Sequence, residues 1–384
     1  MDFNPFLLEK KEYPLYVYAQ KAAAMKAAGV DVINLTIGDP LDATYPPVYE
    51  ALQSAVSSRK NSQYPKAAGS DAFRQSVAGW AKRNYGIELD PAKEIISCNG
   101  TKEAVFHLPL LFDWTTGKEM FFASMSYPVY ASSCSVLGIT KRELPLTEEG
   151  GFLPDLDAIS DEDWQKCQVF WINSPHNPTT AIAPKDYFTK LLALAEKHDF
   201  LVCSDECYNE ICYVDQPVSA LDFPDSKHWL VFRSLSKRSH MTGLRSGALI
   251  TKNQELLAHL SRLRNPMGVG SPDVIQEASI AAWNDDEHCR EFSVAYQEKR
   301  DILRSALEAK GFKVFGADAG FYLWFSHPKF AKSVEILDLF IEEGIVITPG
   351  TAFGDDGEGY ARMVYCETLE VCKKAAERIA KINI

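Results

Sequence analysis

The sequence predicts an α/β fold with a large domain built on a mostly parallel mixed sheet flanked by helices, plus a smaller α+β domain. Apolar strand-like runs alternate with amphipathic helical segments through most of the 384 residues, as in parallel sheets. Polar residues or glycines directly follow several of these runs, where ligands bind in such sheets. We expect residues 44–285 to form the large domain, and residues 1–43 and 286–384 to form the small one.

The first strand-like run, residues 32–35, leads into a glycine turn. Ile37-Gly38-Asp39-Pro40 predicts a tight turn whose Gly38 amide can face a ligand, although an ordinary turn has the same pattern. Pro46 and Pro47 then begin a predicted helix. Its predicted apolar face is Val48, Leu52, Ala55 and Val56.

A second helix is predicted after Tyr64-Pro65-Lys66-Ala67-Ala68-Gly69, with Ser70 as its N-cap. Its predicted buried face is Phe73, Val77, Trp80 and Ala81. The strand predicted at residues 94–98 runs directly into Asn99-Gly100-Thr101-Lys102-Glu103 at the start of another helix. This order of strand, glycine turn and helix directs free backbone amides at an anion. A further strand at residues 120–123 is followed by Tyr127.

Three more strands precede polar segments. Residues 169–172 lead into Asn173-Ser174-Pro175-His176-Asn177-Pro178-Thr179, where two prolines restrict the loop and leave the Asn177 amide projecting. The next helix has Phe188, Leu191, Leu192 and Ala195 as its predicted buried face. Residues 201–204 lead into Asp205 and Tyr208, and residues 229–232 into the Lys237 segment. A further strand is predicted at residues 247–251.

The segment Ser234 to Gly247 carries the most reactive group in the pattern. Arg238 and Arg245 flank Lys237, and nearby positive charge together with desolvation lowers the pKa of an amine, which makes it nucleophilic towards an aldehyde. Ser234, Ser236 and Arg245 suit a phosphate dianion. Taken alone, the segment is equally consistent with a solvated basic loop.

After Gly270-Ser271-Pro272 the pattern changes. A long helical region is predicted at residues 274–310, with a break near residues 283–286. Strands are predicted at residues 321–325, 344–348 and 361–365, and a closing helix at residues 369–382.

Composition restricts the class of protein. A net charge of −12 argues against nucleic-acid or anionic-membrane partners. The nine cysteines lack zinc-site spacing, even where Cys203, Cys207 and Cys212 lie close, so we predict reduced thiols and no metal. With neither a signal-peptide pattern nor a run of about 20 apolar residues, we expect a cytoplasmic protein without a membrane span.

The predicted site residues together suit pyridoxal phosphate, which requires an amine for its aldehyde, an anion site, a carboxylate for its ring nitrogen and an aromatic cover. At this point the sequence resembles the class I and II aminotransferases of the aspartate-aminotransferase-like fold. The resemblance rests on Tyr-Pro-Lys-Ala-Ala-Gly, Asn-Ser-Pro-His-Asn-Pro-Thr, Ser-Asp-Glu-Cys-Tyr, Ser-Leu-Ser-Lys with Gly-Leu-Arg-Ser-Gly, and Gly-Thr-Ala-Phe-Gly with Arg362. These motifs occur in the family's order and span Gly38 to Arg362.

The resemblance implies a role for each matching residue. Lys237 would bond the cofactor aldehyde and later move the proton, Asp205 would bind the ring nitrogen, and Tyr208 with Asn177 would bind the ring hydroxyl. Tyr127 would stack on the ring. The phosphate group would be bound by Gly100, Thr101, Lys102, Ser234, Ser236 and Arg245, with Tyr64 and Ser271 from a second subunit of a homodimer. Arg362 would bind the substrate α-carboxylate, assisted by Asn177 and the Gly38 amide.

Within the family, Gly-Thr-Lys-Glu, Ser-Leu-Ser-Lys-Arg-Ser-His and Ala-Gly-Phe-Tyr-Leu-Trp look most like the bacterial N-succinyldiaminopimelate aminotransferases of lysine biosynthesis. Two residues depart from the usual patterns: Thr180 replaces a glycine and His240 an asparagine. A succinylated dicarboxylate needs further cations, and the candidates are Lys66, Lys102, Arg238 and Arg264.

The resemblance implies transfer of an amino group from glutamate to an oxo acid, with N-succinyl-2-amino-6-oxopimelate as the expected acceptor. An aminotransferase for aspartate, alanine or aromatic acids is the near alternative. A carbon–sulfur lyase on the same fold is a more distant one. A cofactor-binding regulatory module is the least favoured, because the match begins near Gly38 and the chain is acidic.

Overall fold

The computed structural model of the protein describes residues 1–8, 14–59 and 63–384. Its strands are β1 (Ile33–Asn34), β2 (Ile95–Cys98), β3 (Glu119–Ala123), β4 (Lys141–Leu144), β5 (Cys167–Asn173), β6 (Leu201–Asp205), β7 (Trp229–Ser234), β8 (Gly247–Ile250), β9 (Lys313–Phe315), β10 (Tyr322–Ser326), β11 (Ile345–Val346), β12 (Thr348–Pro349) and β13 (Tyr360–Val364). Its α-helices are α1 (Pro5–Leu8), α2 (Pro14–Ala27), α3 (Pro46–Ser58), α4 (Asp71–Tyr85), α5 (Thr101–His107), α6 (Val129–Leu137), α7 (Asp161–Trp164), α8 (Lys185–His198), α9 (Leu235–Arg238), α10 (Gln254–Arg264), α11 (Asp273–Trp283), α12 (Glu287–Ala309), α13 (Ser333–Glu342) and α14 (Leu369–Ile379).

A seven-stranded sheet in the order β2-β8-β7-β6-β5-β3-β4 forms the centre of the larger part. Strand β8 is antiparallel to both of its neighbours, whereas every other pair in the sheet is parallel. The predicted mostly parallel mixed sheet is therefore confirmed. Since β2 runs in the same direction as β7, the carboxyl ends of β2, β7, β6, β5 and β3 lie at one edge.

Apolar side chains cover both faces of this sheet. Phe121 and Phe170 point into one buried cluster, whereas their neighbours Phe122 and Trp171 point into the other. This alternation is the two-residue period of a strand between two helical layers. Burying each such aromatic side chain contributes about 1.5–3 kcal/mol. The predicted buried faces of α4 and α8 are confirmed, but Val56 of α3 is 59% exposed, contrary to expectation.

A four-stranded antiparallel sheet, β12-β13-β10-β9, forms the centre of the smaller part. Its core includes Ile33 and Leu35 from near the N-terminus together with Ile379 from the last helix. Strand β1 pairs in parallel with β11 beside it. Residues 344–348, predicted as one strand, form the two short strands β11 and β12 in different sheets.

The predicted break in the long helical region is confirmed, because α11 ends at Trp283 and α12 begins at Glu287. The closing helix ends at Ile379, three residues earlier than expected. Within the described residues, no helix combines the length and the apolar character needed to cross a membrane.

Candidate active site

A cavity of about 610 Å³ lies at the shared carboxyl-end edge of the large sheet. The sheet contributes one wall, and the opposite wall comes from α2, the Thr36–Asp39 turn, Tyr322 and Arg362. The predicted site residues that line it are Gly38, Thr101, Lys102, Tyr127, Asn177, Asp205, Tyr208, Ser234, Ser236, Lys237, Arg245 and Arg362. Residues far apart in sequence therefore meet because their strands end at the same edge.

Three of the predicted residues are absent from the cavity lining. Gly100 has a φ of +73°, which favours glycine, and a Cβ there would collide with the Arg245 guanidinium. Tyr64 is fully exposed. Ser271, the other residue expected to act across a subunit boundary, is buried.

Lys237 lies in α9, the single turn that follows β7. Its Nζ donates a hydrogen bond to the Gly38 carbonyl oxygen across the cavity. Burial lowers the pKa of Lys237, and nearby Arg245 acts in the same direction. A buried amine with a lowered pKa is the form that attacks an aldehyde.

Hydroxyls and one guanidinium surround the adjacent end of the cavity. Ser236 N donates to Ser234 Oγ at 3.1 Å, and Arg245 Nη1 donates to the Thr242 carbonyl oxygen at 2.8 Å. Thr101 lines the same end at the start of α5. Together these groups supply the donors that a phosphate dianion requires.

Asp205 ends strand β6 and is buried. Its Oδ2 accepts a hydrogen bond from Tyr130 Oη at 2.8 Å. Within the described chain, its Oδ1 is buried and has no hydrogen-bond partner of good geometry. Burial raises the pKa of Asp205, while hydrogen bonding from Cys207 and Tyr130 opposes that rise. A buried carboxylate oxygen without a partner suits a protonated ring nitrogen.

Arg362 lies in β13 and is buried. Its Nη1 donates to Asn177 Oδ1 at 2.8 Å and its Nη2 to the Thr36 carbonyl oxygen at 2.7 Å. The guanidinium also lies over the ring of Tyr322, 4.5 Å from its centroid. These contacts orient a planar donor pair towards the cavity.

The tyrosines of the site are also held by specific contacts. Tyr208 Oη lies 2.6 Å from Tyr322 Oη, and burial raises the pKa of Tyr208. Tyr127 packs edge-on against Tyr130, with ring centroids 5.9 Å apart. Tyr130 itself stacks on Trp171 at 4.7 Å.

Several residues that line the cavity or support its lining were not predicted as site residues. Asn173 Nδ2 donates to the Asp205 carbonyl oxygen at 2.8 Å, and its Oδ1 accepts from the Asn177 amide at 2.7 Å. Its place at a strand end before Ser174-Pro175 was a usable signal. Tyr322 falls inside the quoted Ala-Gly-Phe-Tyr-Leu-Trp motif, whereas nothing in the helical pattern indicated Tyr130.

Two of the candidate cations for a distal carboxylate are already paired inside the protein. Arg238 is buried with Glu210 Oε2 at 2.8 Å. Arg264 is buried in a two-point ion pair with Glu103, at 2.7 and 3.0 Å. Both guanidiniums are therefore engaged by carboxylates of the protein itself, and neither lines the cavity. Lys66 is exposed, whereas Lys102 lines the cavity and has its pKa lowered by burial and by Arg245.

The two departures from the usual motifs have local explanations. Thr180 adopts a φ of +60°, the conformation that a glycine takes easily, and its Oγ1 accepts a hydrogen bond from the Ala317 amide at 2.8 Å. His240 points away from the cavity and stacks on Phe292 at 3.8 Å.

The residues present fit pyridoxal phosphate. Lys237 provides a half-buried amine, Asp205 Oδ1 the carboxylate oxygen without a partner, and Arg245 with its neighbouring hydroxyls the anion site. In the described part of the chain, no cluster of histidine, cysteine or acidic side chains could hold a metal ion.

Comparisons with known proteins agree with this geometry. Residues 30–379 match the family model for aminotransferase class I and II. An LL-diaminopimelate aminotransferase from Maridesulfovibrio salexigens is 38% identical over 377 residues, covering 96% of this chain and 97% of the relative.

Solved structures extend the similarity to the whole fold. A probable N-succinyldiaminopimelate aminotransferase from Thermus thermophilus has a TM-score of 0.89 at 26% identity, covering 96% of this chain and 100% of that one. A single mutant of the Thermus thermophilus aspartate aminotransferase has a TM-score of 0.89 at 28% identity, covering 100% of both chains.

Proposed function

The chain belongs to the class I and II aminotransferases and is a pyridoxal-phosphate-dependent enzyme, and we propose that it moves an amino group between glutamate and a diaminopimelate skeleton. The observation that carries the proposal is one cavity in which a half-buried amine, Lys237, a carboxylate oxygen without a hydrogen-bond partner, Asp205 Oδ1, and an oriented guanidinium, Arg362, all meet. Each of these groups matches one requirement of amino-group transfer.

Pyridoxal phosphate supplies an aldehyde and an electron-accepting ring. Lys237 would bond that aldehyde, and its amine, once free, would hold and move the substrate α-proton at Nζ. Burial lowers the pKa of Lys237, which would favour the neutral amine that accepts a proton. Asp205 Oδ1 would hold the proton on the ring nitrogen.

Other residues bind and orient the reactants. Arg362 binds the substrate α-carboxylate through two donors, supported by Asn177 and the Gly38 turn. Tyr208 and Asn177 would bind the ring hydroxyl, and Tyr127 would cover the ring. The phosphate group would be held by Gly100, Thr101, Lys102, Ser234, Ser236 and Arg245.

The charged groups of the cavity lining favour a substrate that carries charge at both ends. Besides Lys237, Asp205, Arg245 and Arg362, the lining includes a further cation, Lys102, and a further carboxylate, Asp39. An unsuccinylated diaminopimelate carries both an ammonium and a carboxylate at its distal end, which complements this pair. The sequence relatives named LL-diaminopimelate aminotransferase, at 36–38% identity, favour the same substrate over the N-succinyl compound that the motifs indicated.

N-succinyldiaminopimelate is the second candidate, supported by the Thermus thermophilus structure at 26% identity. Aspartate, alanine and aromatic acids remain near alternatives, and the aspartate aminotransferase structure keeps aspartate among them. Carbon–sulfur elimination has no comparable support.

A donor panel tests the proposal. The enzyme is loaded with pyridoxal phosphate and 2-oxoglutarate, and glutamate formation is measured with LL-diaminopimelate, N-succinyl-LL-diaminopimelate, aspartate, alanine and phenylalanine. We expect kcat/KM to be highest for LL-diaminopimelate. A higher value for the succinylated compound or for aspartate would overturn the substrate assignment, and keto-acid release from cystathionine without an acceptor would indicate a lyase.

A matched pair of variants tests the distal contact. Lys102→Gln should lower kcat/KM for LL-diaminopimelate by about tenfold more than for alanine, because a charge contact of about 1.4 kcal/mol corresponds to tenfold. Lys66→Gln is the control, since Lys66 is exposed. Equal losses of kcat/KM for both donors would mean that Lys102 contacts the cofactor and not the distal end of the substrate.

A further inference from the structure

The three residues that follow Lys237 lie outside the cavity lining, yet each has side-chain contacts with a segment that connects the two sheets. The chain passes from the core of the four-stranded sheet to that of the seven-stranded sheet between Leu35 and Val48. It passes back between Trp283 and Tyr296. These two crossing segments are the places where the parts of the molecule join.

Arg238 makes the first link. Its Nη1 donates to the Ala282 carbonyl oxygen at 2.7 Å, and its Nη2 lies 3.3 Å from both the Asp285 carbonyl oxygen and Asp286 Oδ1. Glu210, in the turn that follows β6, adds an ion pair with Arg238 Nε at 2.8 Å. A buried guanidinium with these contacts fixes the start of the second crossing segment against α9.

Ser239 makes the second link through a buried histidine. Ser239 Oγ and His288 Nε2 are 2.9 Å apart, and His288 Nδ1 lies 2.8 Å from Asp285 Oδ1. With Nδ1 donating to the carboxylate, Nε2 accepts from the serine. Tyr45, in the first crossing segment, stacks on His288 at 4.2 Å and donates to Asp285 Oδ2 at 3.1 Å. Both crossing segments therefore meet at this imidazole.

This serine, histidine and aspartate set has the connectivity of a hydrolytic triad but not its access. Ser239 is 0% exposed and His288 is 2% exposed. Neither lines the cavity beside Lys237. A nucleophile that no substrate reaches performs no acyl transfer, so the set acts by holding the backbone.

His240 makes the third link. Its backbone carbonyl accepts from Thr44 Oγ1 at 2.6 Å, and its Nδ1 donates to the Ala43 carbonyl oxygen at 3.3 Å. Its Nε2 accepts from Tyr296 Oη at 3.0 Å. His240 thus joins the first crossing segment to helix α12.

We propose that Ser239, His288 and His240 are positioning residues that hold the Lys237 amine in place by tying its segment to both crossing segments. Lys237 lies two residues before Ser239, and its Nζ reaches Gly38, which lies between Leu35 and the first crossing contacts. A shift of the crossing segments relative to the large sheet therefore moves the amine and its acceptor together. The inference rests on the role proposed for Lys237.

Three substitutions separate positioning from packing. Ser239→Ala removes only the hydroxyl. His288→Asn places an amide where Nδ1 was, so it keeps the hydrogen bond to Asp285 but loses the one from Ser239. His288→Gln has a longer side chain, whose amide reaches towards Ser239. Ser333→Ala is the control, because Ser333 is also buried and its hydroxyl donates to the Gly357 carbonyl oxygen at 3.0 Å, away from the crossing segments.

The measurements are kcat and KM for an amino donor, the pKa of the imine nitrogen in the cofactor–lysine bond from its absorbance, and the rate at which apoenzyme binds pyridoxal phosphate. We expect Ser239→Ala and His288→Asn to lower kcat about tenfold with little change in KM. Misplacing a reacting group by about 1 Å can lower the rate about 100-fold, and these variants should displace the Lys237 amine by less than that. The pKa of that imine nitrogen and the cofactor-binding rate should both change in the variants in which kcat falls. His288→Gln should retain most of the wild-type values, and Ser333→Ala all of them.

An unchanged pKa and kcat in a folded Ser239→Ala enzyme, whatever its melting temperature, would overturn the proposal. If that variant does not fold, equal values for His288→Gln and His288→Asn would do the same. Lys237→Ala separates the two claims: if it keeps the cofactor–lysine absorbance, the role of Lys237 is wrong, whereas failure of the Ser239 and His288 variants alone leaves that role intact.

Discussion

Arg362 illustrates how a single side chain is prepared for its ligand. Its guanidinium is buried, bonded to Asn177 Oδ1 and the Thr36 carbonyl oxygen, and covered by the rings of Tyr322 and Phe353. Such restraint reduces the conformational entropy that binding would otherwise cost. The geometry of the donor pair matters as much as its charge.

Arg362→Lys should raise KM for every α-amino acid by about tenfold or more, because an ammonium cannot reproduce a two-point contact with a carboxylate. The measurement is steady-state kinetics with several donors. Lys141→Arg, a change at an exposed residue of β4, is the control. A loss confined to one donor would show that Arg362 does not bind the α-carboxylate.

Two buried histidines contribute to the pH dependence of stability. Burial lowers the pKa of both His240 and His176 to about 4, from the usual value near 6.5. Both are neutral above pH 6.5 in either state, so their contribution to stability is complete there. As the pH falls from 6.5 to 4 the unfolded chain takes up the protons first, and stability is lost.

His240→Asn should therefore weaken the pH dependence of the unfolding free energy between pH 6.5 and 4, even if it lowers stability at pH 7. Chemical denaturation at several pH values measures this. His259→Asn, at an exposed histidine, should leave the slope unchanged. The same slope in both variants would mean that His240 is not held neutral by burial.

Among individual residues, the site residues that follow strands were predicted better than the residues that hold those site residues in place. Asp205 and Lys237 stood out because a charged group directly after a buried strand is unusual. Tyr130, which donates to Asp205, lies in a helix whose pattern is equally that of ordinary packing. Long-range contacts of this kind depend on packing that no local pattern encodes.

The elements themselves were largely predictable where the apolar period was clear. Helix α4 begins after Ser70, whose Oγ accepts from the Phe73 amide at 3.2 Å, and ends before Gly86 in the left-handed conformation. The edge strand β4 was missed because Lys141-Arg142-Glu143 lacks apolar residues, and an edge strand needs few of them.

Ser70→Ala should destabilise the protein by about 1 kcal/mol, because one amide at the start of α4 loses its acceptor. Ser70→Asp should restore most of that stability, since aspartate also caps helices. Calorimetric melting measures both. Ser135→Ala serves as the control because its hydroxyl is exposed on α6. Equal effects at the two serines, or no recovery with aspartate, would contradict the capping role.

The turn between β5 and α8 shows an element adapting to an unusual residue. Thr180 keeps the positive φ of the glycine usual in this family and uses its hydroxyl to reach Ala317, beyond β9. The departure therefore adds a contact between the two parts of the molecule.

For the whole molecule, we propose the division into residues 1–43, 44–285 and 286–384. Near each boundary, the buried apolar residues change from the core of one sheet to the core of the other. We also propose a homodimer with shared sites. Tyr64 is fully exposed in the chain, and its predicted role requires the phosphate site of a second subunit. The sequence indicated this only through family resemblance, since surface contacts between subunits leave no periodic pattern.

Mixing two inactive variants tests the shared site. Lys237→Ala and Tyr64→Ala subunits, co-expressed, should recover about a quarter of wild-type activity, because random pairing in a two-fold dimer gives half heterodimers with one intact site each. Each variant expressed alone is the control. Absence of recovery, despite heterodimers detected by mass spectrometry, would place Tyr64 outside the partner's site.

The central claim is that Lys237 bonds the cofactor, and the most direct measurement is reduction of the loaded enzyme with borohydride, followed by digestion and mass spectrometry. The account predicts a phosphopyridoxyl group on the peptide that contains Lys237, and none on any peptide of the Lys237→Ala enzyme. A label on another lysine, or an unlabelled Lys237 in active enzyme, would contradict it.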